Sequence, residues 1–342
     1  MALTSYITRR SRGIHAAWHS WYAVVFGGES GLRKVGLGGI HPLTQRYISN
    51  RLPNRTNDII NKPEILCAWI CMRLHHYTTI ETLALILDSN KIRFNRLTNV
   101  DDTEEANLYG QYNIAPFLYV SCWTTNDVES IPLWNMYTAG MKGVRISFDD
   151  KPFHYRKLTP DPRYCIDIQG ETYSPLTLNQ MFNDSCFLIP NFFDKNNFGR
   201  QVEYIDDVSD IYRDAVKVSP NGDGTVNMAL ESANNIAVHK NKFWQFQDEY
   251  RFTLLALPAP EQGYTQEAMQ NLHHHAVNAV LSAQAPVNDF IDVDLCPDIL
   301  RNVTVTLAPR TSYADELLVK ALLQKYCPDG MLVHSSLKGK IR

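Results

Sequence analysis

Gln247, Asp248, Glu249 and Arg251 crowd into the aromatic run FWQFQDEYRF at residues 243–252, and His75 and His76 begin the stretch HHYTT at 75–79. These residue types suit chemistry on a sugar. A carboxylate stabilises an oxocarbenium-like ribose as the bond to its leaving base loosens. A neutral imidazole both donates and accepts hydrogen bonds, which fits it to hold sugar hydroxyls. Residues two apart on a strand share a face, so Gln247 is expected beside Glu249. By the same alternation only one of His75 and His76 can point into a site. Trp123, Trp134 and Tyr137 offer rings that could stack on a flat aromatic group. Plainer expectations stand beside these. Glu249 among Lys, Gln and Arg251 also reads as a solvated face with a salt bridge. Trp134 and Tyr137, three apart, also read as helix core.

Other stretches carry less. Consecutive histidines at 273–275 diverge by about 100° on a helix, so they do not converge on a metal. PNGDGTVN at 220–227 starts like a calcium loop but lacks the downstream glutamate, and a turn is expected. Asp101 and Asp102 form an acidic loop that could bind a cation or orient a substrate. Neither a Walker loop nor a GxGxxG fingerprint occurs.

The elements that must position these side chains can be read from periodicity. Ile80, Leu83, Ala84, Ile86 and Leu87 make a helical face, with Thr79 as N-cap. KIRFNRL and PFLYVSCWTT have strand composition, and SIPLWNMYTAG reads as a short helix closed by Gly140. In KGVRISFDD, Val144, Ile146 and Phe148 alternate as in a half-buried strand. NKFWQFQDEYRFTLLAL reads as a strand pair or one long strand. NVTVTLAP is a strand, YADELLVKALLQKY an amphipathic helix and MLVHSSL a last strand. Short strands among single helices predict an α+β domain over 66–342, with a loop and helix insertion around 150–235.

Together the blocks LHHYTTIETLALILDSNKIRF, NVDD, VSCWTT…PLWNMYTAGMKGVRISF, KFWQFQDEYRF and LAPRTSYADELLVKALLQKY resemble an abundant bacterial family of unknown function, over about residues 72–342. Gln247 stands where that family usually has a first Glu, and Asp101 where it usually has Asn. The family in turn resembles a remote branch of the ADP-ribosyltransferases. The resemblance implies a split β-sandwich with flanking helices and NAD as substrate, with no metal. It implies His76 on the first strand, Ser121 on the second element and the pair Gln247–Glu249 as the catalytic element. His75, Tyr77, Trp123, Trp134, Tyr137 and Arg251 fill out the binding set. It also implies transfer of ADP-ribose to a macromolecule in a toxin or anti-phage role, with a neutralising antitoxin or chaperone as partner. Competing expectations are an NAD glycohydrolase, a metal-dependent nuclease built on Asp101, Asp102 and histidines, and a non-catalytic sensor or interaction module.

Charge bears on the acceptor. The 342-residue chain has net charge −3, yet residues 1–55 hold seven Arg and one Lys against Glu29 alone, about +7. This basic N-terminal arm, 1–65, and Gln247 tip the acceptor toward RNA or DNA over protein. The seven cysteines are an odd, scattered set, and only Cys67 and Cys71 lie close together. Reduced thiols, the lack of an 18-residue apolar run and the lack of a secretory leader predict a cytoplasmic protein without membrane contact.

Overall fold

In the computed structural model, residues 72–341 are described, apart from 150–151, 165, 167, 169–170, 190–197, 221–225 and 231–234. The basic arm, Cys67 and Cys71 lie outside the described residues. The described chain runs first through strand β1 (Leu74–Thr78) into helix α1 (Ile80–Ser89). Thr79 caps that helix as expected, its side chain accepting from the Thr82 N–H, and Asn90 closes it in the left-handed region at φ 58°. Strands β2 (Lys91–Arg96) and β3 (Leu118–Thr124) follow. Helix α2 (Ile131–Tyr137) starts at a Ser130 cap, and Ala139, Gly140 and Met141, all at positive φ, turn the chain into β4 (Val144–Phe148).

The next stretch is built of short pieces. Strand β5 (Arg156–Lys157) pairs with β6 (Tyr173–Ser174), and α3 (Leu178–Met181) leads to β7 (Cys186–Leu188). Then come β8 (Gly199–Gln201), β9 (Glu203–Ile205), the antiparallel pair β10 (Val216–Pro220) and β11 (Val226–Leu230), and β12 (His239–Asn241). The long β13 (Glu249–Pro258) precedes α4 (Gln266–Gln270), α5 (Leu272–Leu281) and β14 (Phe290–Asp294). Helix α6 (Pro297–Arg301), β15 (Thr304–Leu307), α7 (Tyr313–Tyr326) and β16 (Met331–His334) complete the described chain. No helix among the described residues is long and apolar enough to cross a membrane.

Ten strands form one open, mostly antiparallel sheet in the order β14-β2-β3-β1-β4-β15-β16, with β13 joined to β3 and carrying β7 and β8. The fold class is α+β. Strand β3 is the junction. Along one edge it pairs with β13 over seven residues, while its other edge meets β2 at Tyr119 and Val120 and β1 at Thr124. Gly143 lets β4 start tight against β1, since a Cβ there would stand 2.2 Å from the Thr78 carbonyl oxygen.

Two expectations need correction. The run 242–247 is a 3-10 helix rather than strand, begun by an Asn241 cap and ended by Asp248 in the left-handed region at φ 42°. Asp tolerates that conformation because its short polar side chain can hydrogen-bond locally, so the strand begins only at Glu249. And β4 is not half-buried: all five of its residues are covered, Arg145 and Ser147 included. Both faces of this part of the sheet are packed over.

Candidate functional site

Residues directly opposite on neighbouring strands project to the same face. The register sets Glu249 of β13, Thr124 of β3, His75 of β1, Ser147 of β4 and Thr304 of β15 in one row. Two residues along, Arg251 lies opposite Cys122, and Tyr77 opposite Arg145 and Thr306. Every one of these except Cys122 is buried. The reverse face carries Leu74, Ile146, Phe148, Val305 and Phe252, the apolar core. The sheet is apolar on one side and polar on the other, and both sides are covered.

At the β13 end of the polar row lies a closed quartet of charges. The Arg251 guanidinium donates from Nε to Glu249 Oε1 at 2.6 Å and from Nη2 to Glu249 Oε2 at 3.1 Å. Its other edge donates to Glu105 at 2.6 and 3.1 Å, and Nη1 also reaches the Ala237 carbonyl at 3.0 Å. Lys240 Nζ forks to Gln247 Oε1 and Glu249 Oε2, both at 2.8 Å, and lies 3.5 Å from Glu105. Gln247 Nε2 then donates to the Tyr137 hydroxyl at 2.8 Å, and the Tyr204 hydroxyl accepts from the Glu249 N–H. The four charges sum to zero and are buried. Burial pushes the Glu249 carboxyl up, but Arg251 and Lys240 outweigh it and hold Glu249 far below the usual carboxylate range. Burial, then Asp101, pushes the Tyr137 phenol up, and burial, then Glu249, does the same to the Cys122 thiol.

The β1–β4 end is built differently. His75 Nε2 lies 3.0 Å from Asp127 Oδ1 and Nδ1 lies 2.7 Å from Ser147 Oγ. A carboxylate only accepts, so the ring proton belongs on Nε2, and Nδ1 accepts from the Ser147 hydroxyl. Burial, then the neighbouring Arg145 charge, pulls His75 down to about 4, which keeps the imidazole neutral. Helix α2 roofs this end. Trp134 meets Tyr77 edge-on at 4.7 Å and donates to Glu129, which also accepts from Ser335 and the Ser336 N–H.

The residues expected at the site divide between the two faces. Glu249, Gln247, Arg251, His75 and Tyr77 converge on the polar face, and Tyr137 and Trp134 reach it from α2. The register turns His76, Ser121 and Trp123 to the reverse face. His76 Nδ1 donates to the Cys122 carbonyl at 2.9 Å and its ring lies 5.0 Å from Trp123, whose indole donates to Ser121. The solvated-face expectation for Glu249 is overturned, since its residue is 3 % exposed. Gln247 reaches Glu249 through Lys240 rather than through strand alternation. Asp102 caps a turn by accepting from the Glu104 N–H at 3.1 Å. His275 Nε2 donates to the Pro258 carbonyl, and no group of three or more His, Cys, Asp or Glu is set to hold a metal among the described residues.

Sequence reasoning missed Glu105, Lys240, Asp127 and Arg145. Glu105 sits in a run that reads as a solvated acidic loop, and its partner Arg251 lies 146 residues away. Lys240 and Arg145 look like ordinary strand-flanking cations. Pairing over such separations leaves no mark in local pattern. No family model, curated protein or solved structure matches the chain.

Proposed function

We propose that the polar face binds NAD and that the protein transfers ADP-ribose to a macromolecule, on an ADP-ribosyltransferase-like split sandwich. The observation that carries the reading is the row His75–Thr124–Glu249, which sets a neutral imidazole and an ionised carboxylate on one face, two strand spacings, about 10 Å, apart. In this reading the bond between ribose C1′ and nicotinamide breaks, and the electron pair leaves with nicotinamide. The acceptor nucleophile forms the new bond to C1′ and loses its proton to solvent. Glu249 accepts from a ribose hydroxyl and steadies the positive charge that develops on the ring. Its paired, low-pKa state means it stays charged at neutral pH. His75 orients the sugar, Tyr77 and Tyr137 border it, and the Gln247 amide faces the acceptor. A nucleic-acid acceptor is favoured over protein on the amide at 247 and the basic arm; with water as acceptor, the same site is an NAD glycohydrolase.

One observation favours a second reading. Both Glu249 oxygens already accept hydrogen bonds from the protein's own cations. A carboxylate so engaged suits a binding module that retains the fold without turnover. Nicotinamide release from NAD, followed with and without RNA, DNA and lysate, separates the readings. Release that needs nucleic acid and is lost in Glu249→Gln supports transfer. Release without any acceptor supports hydrolysis. Silence under every condition from a protein that still binds ADP-ribose leaves the binding module.

A further inference from the structure

Arg145 breaks the pattern set by the other buried cations. Arg251 and Lys240 each meet two carboxylates, whereas Arg145, 9 % exposed, has no carboxylate within ion-pair distance among the described residues. Its Nη1 donates to the Asp127 backbone carbonyl at 3.1 Å, its guanidinium carbon stands 5.9 Å from the Tyr77 ring, and its Nε is buried with no partner. The acids of the loop above are engaged elsewhere. Asp127 accepts from His75 and Glu129 from Trp134 and Ser335. Burying an unpaired charge is costly, and an anion that met this guanidinium would relieve that cost.

We propose that Arg145 is an anion subsite for the phosphoryl groups of a nucleotide. A guanidinium fork matches phosphate oxygens two at a time, and the hydroxyls of Ser147 and Thr306 stand on the same face beside it. Arg145 lies three strand spacings, about 14 Å, from the β13 backbone. Because this face is covered, a dinucleotide that sets its pyrophosphate at Arg145 and brings its far ribose toward Glu249 has to lift helix α2 from the β1–β4 end to enter. The subsite rests on the dinucleotide reading for its ligand, but not for its existence.

The test uses inorganic pyrophosphate, ADP and ADP-ribose with the full chain, by titration calorimetry and thermal shift. All three are expected to bind and to raise the melting temperature. Arg145→Met is expected to weaken ADP-ribose about 10- to 100-fold, as loss of charge-assisted hydrogen bonds implies, and Arg145→Lys to weaken it less. Without ligand, Arg145→Met should melt no lower than the wild type, because an unpaired buried charge has been removed. Should the variant fail to fold, the wild-type Arg145 Nε–H resonance provides the readout, and it should shift when pyrophosphate is added. No binding by the wild type, unchanged affinity in Arg145→Met or an unmoved resonance would overturn the subsite. Pyrophosphate binding without nicotinamide release keeps the subsite and removes the transfer reading; release with an unchanged KM in Arg145→Met does the reverse.

Discussion

The two ends of the polar row solve the problem of buried charge in opposite ways. Around β13, Glu105, Arg251, Glu249 and Lys240 neutralise one another, and every oxygen of both acids accepts from a cation. Around β1 and β4, Arg145 is left with one backbone carbonyl while His75 is kept neutral. A satisfied network fixes geometry, and an unsatisfied one carries a cost that a bound ligand can relieve. The quartet holds Gln247 and Glu249 still, and the Arg145 end is the side on which a ligand would change most.

Breaking the quartet should have the largest effect. Arg251→Leu strands Glu105 and Glu249 in the interior with Lys240 alone, and stability should fall by about 3–5 kcal/mol in urea unfolding. Titration sharpens the comparison next. His75 has a lower pKa folded than unfolded, so the unfolded chain takes up the proton first as pH drops. The stability contributed by its neutral form is therefore lost between pH 6.5 and about 4, roughly 3 kcal/mol if the whole shift is expressed. Glu249, depressed from 4.5, gives stability that is complete above that value and lost only in stronger acid. Urea unfolding at pH 7, 5 and 3 on the wild type and His75→Asn should show the variant losing less between 7 and 5. Tyr137→Phe removes the oxygen that receives the Gln247 amide and should cost about 1 kcal/mol, read as a small melting shift. Glu316→Ala, which breaks the exposed pair with Lys320, should change stability by less than about 0.5 kcal/mol.

Much of the scaffold was legible in the sequence. Helix α1 with its Thr79 cap, α7 and the strands β2 to β4 follow from local periodicity and capping, because amphipathic faces and cap residues are short-range signals; the first strand follows from the resemblance. The pairing of Glu249 with Gln247 was legible as a motif but not as geometry. The left-handed turn at Asp248 replaces strand alternation, and Lys240 restores the contact. Which first-strand histidine shares a face with Glu249 was not legible, because register depends on how β1 meets Thr124 and not on the residues of β1 alone. Glu105 and Arg145 were out of reach for a similar reason: a charge reads as solvated until the fold shows what covers it.

Lys240 rides on β12, whose three residues pair only with β9 and belong to no part of the ten-stranded sheet. The counter-ion of Glu249 is thus tethered to a minor annex while the carboxylate itself is anchored in the framework. Separation of that annex would remove one of the three hydrogen bonds that Glu249 accepts from cations, leaving Arg251 on both oxygens to keep it charged. The charge balance at position 249 is therefore coupled to the opening rate of a three-residue pair, a quantity that can change without any change in the sheet.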